Sequence, residues 1–158
     1  MRLRGLSFVL GLFVLGATTS CTTVIPTHVD GEYVPRPEVV RIFIGGLFGP
    51  SYEVFSDGVT VRYKMARGMF ALEKTSGVTF TPDLRQWKQF RQDLDQFNAW
   101  KWQARYVNEG VMDGTKWYAT IADGPNRIIS SSGSNAYPEG FDGFLAAVRR
   151  LIGDREFK

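Results

Sequence analysis

The chain has 158 residues, 19 Lys or Arg against 16 Asp or Glu, and one cysteine and one histidine. A single cysteine rules out an internal disulfide framework, and one histidine with one cysteine leaves too few ligands for a zinc site. No run of Lys and Arg marks a nucleic-acid footprint, so composition predicts neither a metal, a cofactor nor a nucleic-acid partner.

The N-terminus reads "MRLRGLSFVLGLFVLGATTSC". Arg2 and Arg4 precede an apolar run from Leu6 to Ala17, and Thr18, Thr19 and Ser20 lead to Cys21. This is the layout of an export signal. Its apolar run of 12 residues is well short of the ~20 needed for a helix to cross a bilayer. Residues 15–23, "LGATTSCTT", resemble the lipobox of bacterial lipoproteins, in which the cysteine becomes the first residue and carries lipid. Ser20 and Thr19 suit that pattern, whereas Thr18 departs from it. The alternative is ordinary signal cleavage, leaving a soluble secreted or periplasmic protein with a free thiol. An unpaired cysteine in an oxidising compartment favours the lipidated reading. Loss of residues 1–20 leaves 138 residues and lowers the net charge from +3 to +1. That is enough chain for one domain and too little for two.

Residues 21–38 contain three prolines and no usable period, and read as the lipidated cysteine followed by a flexible tether. Seventeen residues of coil would span roughly 20–25 Å. The domain is then expected over 39–158. "VVRIFIGG" predicts a strand from Val39, and "SYEVFSDGVTVRYK" predicts a hairpin turning at Asp57-Gly58. "MFALEK" (69–74) reads as a further strand. A helix follows, with Thr81 as cap, Pro82 at the first position and Asp83 in the first turn. Its apolar stripe is Leu84, Trp87, Phe90, Leu94 and Phe97. Trp100, Trp102, Ala104 and Tyr106 then alternate with polar residues, which predicts an extended segment. "DGPN" turns a second hairpin between 117–122 and 127–132. A last helix runs from Pro138 or Glu139 to Ile152, with Phe141, Phe144, Leu145 and Val148 in its stripe and Gly153 ending it. Together these predict an α+β fold, an antiparallel sheet of about five to six strands with two helices packed on one face.

Residues 100–144 contain "WKWQARYVNEGVMDGTKWYATI" and "GSNAYPEGFDGF". They resemble a bacterial domain of unknown function in which Trp-x-x-x-Tyr precedes Asp-Gly-Thr-x-Trp and a Gly-Ser-Asn-Ala-Tyr-Pro loop opens the final helix. The resemblance implies an envelope lipoprotein domain type and no particular activity. It draws attention to Asp113, Asn135 and Tyr137 as candidate binding residues. "GSNAYP" reads as a structural corner or as a binding site at a helix N-terminus. Trp100, Trp102 and Trp117 read as core packing or as a platform for sugars or a partner chain.

No Gly-x-Ser-x-Gly elbow, phosphate loop or metal motif is present. Asp57, Asp113 and Asp123 each precede a glycine, as turn aspartates do. The functional expectation is a lipid-anchored envelope protein with a non-catalytic domain that binds a protein or glycan. It sits on the outer membrane, or the periplasmic side of a membrane, if the cell is Gram-negative. The alternative is an envelope-glycan hydrolase working through paired carboxylates.

Overall fold

In chain order the elements are β1 (His28–Val29), β2 (Glu32–Tyr33), β3 (Val39–Gly45), β4 (Pro50–Ser56), β5 (Val61–Arg67), β6 (Val78–Phe80), α1 (Leu84–Gln96), β7 (Arg105–Val107), β8 (Lys116–Ala122), β9 (Ile128–Ser134) and α2 (Phe141–Leu151). This is a computed structural model, which describes residues 27–111 and 113–158. The export signal, the lipobox and Cys21 lie outside the described residues.

Strand alternation divides the sheet into two unlike faces. Val40, Ile42 and Ile44 of β3 share one face with Tyr52 and Val54, Val61 and Tyr63, Trp117, Ala119 and Ile121, and Ile129. The stripes of α1 (Leu84, Trp87, Phe90, Leu94) and α2 (Phe141, Phe144, Val148, Leu151) close over that face in a single core. The α+β class and the one-sided helix layer are those the sequence predicts. The sheet has seven strands, in the order β6-β5-β4-β3-β8-β9-β7. The strand that sequence does not predict is β6, three residues long and too short to show a period, whereas β7 occupies the end of the segment predicted to be extended. β7 lies parallel to β9, whereas the other pairings of the sheet are antiparallel.

Local chemistry explains the remaining differences. Residues 69–74 form a 3-10 turn, because Gly68 takes φ +88° and the amides of Gly68 and Met69 bond to Gly49 and Gly46. Those bonds pull the chain off the β5 path and over the sheet. The cap of α1 is Asp83, whose carboxylate accepts from the Gln86 amide at 2.8 Å while Gln86 Oε1 accepts from the Asp83 amide at 2.9 Å. This reciprocal pair outcompetes Thr81, which has no such partner. Ala99–Lys101 makes a 3-10 turn before the extended segment, since Asn98 takes φ +49° and reverses the chain. α2 begins at Phe141, after Gly140 at φ +77°.

Part of the segment read as tether is ordered. β1 and β2 form a hairpin beside α1, with Asp30 3.4 Å from Arg85, Val29 against the core and Val34 buried. At the other end of the chain, Phe157 is fully buried beside Tyr52 at 5.7 Å between ring centroids. The Glu156 carbonyl accepts from the Tyr63 hydroxyl at 2.7 Å, and the Phe157 carbonyl accepts from Arg149 at 2.8 Å. The C-terminal strand of backbone therefore seals the β4–β5 side of the core.

Candidate functional site

The sequence candidates separate into a buried corner and isolated surface positions. Trp117, on the inner face of β8, donates from Nε1 to the Ala136 carbonyl at 2.9 Å. Trp102 packs edge-on against Trp117 and Phe144 at 6.0 and 5.1 Å. Tyr106 and Phe141 cover Trp117 from two other sides, at 5.9 and 4.7 Å, and Tyr137 leans on Phe141 at 4.8 Å. Asn135, at φ +53°, accepts from the Thr115 amide at 2.9 Å through Oδ1. Thus Trp102, Trp117, Asn135 and Tyr137 come together, joining α2 to the β8–β9 pair. Trp117 and Asn135 direct their polar atoms to the backbone, whereas Trp102 Nε1 is buried without a hydrogen-bond partner among the described residues and Tyr137 is half exposed.

Trp100 and Asp113 lie elsewhere. Trp100 donates to Asp95 at 2.7 Å, with the Arg127 guanidinium 4.6 Å from its ring centroid, at the C-terminal end of α1. Asp113 is exposed in the loop before β8 and lines a hollow of about 450 Å³ with Gly46, Phe48, Met69 and Lys158. Asp57 and Asp123 stand at the other end of the sheet, with the start of β3 between their strands. β8 alone places about 20 Å between Asp113 and Asp123. Asp57 is engaged by the amides of Val59 and Thr60, and those bonds hold its carboxyl below the ordinary range. Asp123, nearly buried, holds Arg91 at 2.7 Å and Arg127 at 3.4 Å. Each of these two carboxylates is committed to a local turn or ion pair. The described residues contain no group of His, Cys, Asp and Glu able to hold a metal ion, and no helix long and apolar enough to cross a membrane.

The outer face of the sheet is uncovered over most of its width. Cross-strand pairing aligns Arg62, Phe55, Arg41, Thr120 and Ser130 in one row. A second row runs Lys64, Glu53, Phe43, Tyr118, Ser132 and Arg105. Phe43 and Tyr118 stack at 5.4 Å and 21°, and Arg41 lies 5.5 Å from the Phe55 ring centroid. Glu53 is the one acidic residue of these rows and pairs with Lys64 at 3.7 Å. Burial, and then the Glu53 carboxylate beside it, raise the Tyr118 hydroxyl above its usual range. The 3-10 turn forms one bank of a groove of about 530 Å³, with Met69, Leu72 and Glu73 facing Tyr118 and Ser132. Lys64 Nζ ties the turn down by donating to the Leu72 carbonyl at 3.3 Å.

None of these outward residues stands among the sequence candidates. The available signal was the polar half of each alternation, Arg41 within "VVRIFIGG" and Arg62 and Lys64 within "VTVRYK". Such residues show which face is solvated, but only the pairing order shows that they adjoin. No family model, no curated protein and no solved structure matches the chain.

Proposed function

We propose that this protein is a lipid-anchored component of the bacterial envelope, held through Cys21, whose domain is a non-catalytic binding module. The observation that carries the binding reading is the contrast between the two sheet faces. One is sealed by α1 and α2, whereas the other presents Phe55, Tyr118, Arg41 and Arg62 to solvent. A face that served only solubility would need no stacked aromatics, and exposed aromatics among cations are the composition of a contact surface.

The position of Thr27 supports the anchored geometry. Its carbonyl accepts from the Val34 amide at 2.8 Å, in the hairpin that lies beside α1. Five residues separate it from Cys21, a reach of at most about 20 Å over the six peptide steps when fully extended. In the proposed arrangement the helix layer, which carries this hairpin, faces the membrane and the open sheet face looks away from it. The paired-carboxylate hydrolase reading gains no support, because Asp57 and Asp123 are engaged locally and Asp113 stands at the far end of the sheet.

Two measurements test this. Metabolic labelling with a radioactive fatty acid should label the wild-type chain and not Cys21→Ser; an unlabelled wild-type chain would end the anchor claim. Photocrosslinking in intact cells from benzoylphenylalanine at position 118 should give a discrete adduct that the same group at position 92, exposed on α1, does not. Identical patterns would remove the open face as the contact surface.

A further inference from the structure

We infer that the open sheet face takes a polyanionic glycan, a sugar polymer bearing carboxylates. This rests on the reading of that face as the contact surface and names its partner class. Charge is the first argument. Arg41, Arg62, Arg105 and Lys116 all project from this face, and among the described residues none of them sits in an ion pair. Glu53 is paired with Lys64, and Glu73, which lines the groove from the 3-10 turn, is one acid against these four cations. The whole exported chain is near neutral, so these cations are concentrated here, as the imbalance of a surface built for an anionic partner requires.

Shape is the second. The face is built mainly from β5, β4, β3, β8 and β9, each paired on both sides, and its edges, β6 and β7, are only three residues each, so it offers little backbone on which a peptide could add as a strand. It offers side chains instead. Arg62 and Arg41 flank Phe55 across adjacent strands, about 10 Å apart by strand spacing. Their guanidinium groups can each take a carboxylate in bidentate fashion. The rings of Phe55 and Tyr118, each 38% exposed, present apolar faces to the C–H faces of sugars. Thr120, Ser130 and Ser132 add hydroxyls along the same rows. Alternating cation, ring and hydroxyl fits a chain whose every unit carries a carboxylate, a ring face and hydroxyls. An anionic lipid surface would lie on the opposite side, where the hairpin and tether leave the domain.

The full-length chain in neutral detergent, titrated at low salt with a decameric oligogalacturonate, should bind and should weaken steadily as salt rises. Maltodecaose, poly-glutamate and glycerol 3-phosphate serve as neutral-sugar, acidic-peptide and lipid-headgroup probes. Arg41→Ala/Arg62→Ala should weaken oligogalacturonate binding at least about tenfold, two charge-assisted contacts being lost. Arg105→Ala/Lys116→Ala should also weaken it, and Arg85→Ala/Lys101→Ala, equal in charge but on other surfaces, should change it less than twofold. Absence of oligogalacturonate binding would overturn the proposal. So would equal binding of poly-glutamate or glycerol 3-phosphate, or equal losses in all three double variants. Failure here alongside a discrete crosslink from position 118 would discard the glycan and keep the surface; failure of both would discard the surface.

Discussion

Asn135 and Thr115 are joined twice. The Asn135 side-chain oxygen accepts from the Thr115 amide at 2.9 Å, and the Asn135 amide donates to the Thr115 carbonyl at 3.0 Å. A side chain thereby extends the β8–β9 ladder by one rung past the last paired residues, Lys116 and Ser134. Gly114 is required beside it, because a Cβ there would enter the Asn135 carboxamide. In the corner that sequence alone leaves open between architecture and binding, the Asn135 side chain thus serves the architecture.

Asn135→Ala should therefore destabilise the domain by about 2 kcal/mol, combining the lost part-buried side-chain bond with the poorer tolerance of Ala than of Asn for positive φ. Asn135→Gly, which tolerates that φ, should lose only about half as much. Chemical denaturation checks both. Equal stabilities for wild type and Asn135→Ala would show that the second rung contributes nothing.

Gly133 meets Trp117 from the neighbouring strand, and a Cβ at that position would enter the indole and the Ala136 carbonyl. Gly133→Ala should cost about 3 kcal/mol, the upper range for overpacking, because both obstacles are held by the Trp117–Ala136 bond. Fluorescence of the tryptophans during urea unfolding measures it. A midpoint within experimental error of wild type would mean that the indole can step aside.

How much of this was legible depended on whether the information was local. The helix stripes from Leu84 and Phe141 onward, the Asp57-Gly58 turn and the two long hairpins all follow from periods and turn residues within a few positions. Asp83 was missed as the cap because two neighbouring candidates, Thr81 and Asp83, are both good cap residues, and only the return of Gln86 decides between them. The 3-10 turn at 69–74 was missed because its cause lies in the β3–β4 loop, more than fifteen residues away in sequence. The tryptophans drew attention by their rarity, yet Trp102 and Trp117 turn inward. The open face was invisible for a physical reason: Arg62, Phe55, Arg41 and Thr120 come from four different strands, and no sequence pattern records strand order.

Asp93 and Arg150 connect α1 to α2 at 2.6 Å, with Gln89 donating to the other Asp93 oxygen at 2.9 Å. The Asp93 carboxylate is almost buried, with 5% of its side chain exposed, whereas that of Arg150 is half in water at 48%. Arg150→Ala should cost about 2 kcal/mol, less than a fully buried pair, because water screens the arginine side. Asp93→Asn should cost less, since its amide keeps an acceptor for Gln89. A double-mutant cycle should give a coupling of about 1–2 kcal/mol; a coupling near zero would mean that the helices dock without this pair.

Tyr52 makes the alkaline limit of stability testable. Its hydroxyl is buried near the Glu156 carboxylate and has no partner at full hydrogen-bonding geometry among the described residues. Burial first, and then the Glu156 charge beside it, push it from 10.0 up to about 12. Tyr63 is raised for the same two reasons. A phenol whose folded value is raised keeps its proton in the folded state after the unfolded chain has lost it. The associated stability is fully present below pH 10 and is lost as pH rises from 10 toward 12. The wild-type protein should therefore lose stability steeply across that window. Tyr52→Phe, which removes the ionisation and gives up no bond, should stay within about 1 kcal/mol of wild type at pH 7. It should also show a shallower decline above pH 10, the remaining slope coming from Tyr63 and Tyr118. Urea midpoints at pH 7, 9, 10 and 11 measure both. A large loss at pH 7 would reveal a bond to the Tyr52 hydroxyl, and an unchanged alkaline slope would assign the decline to other groups.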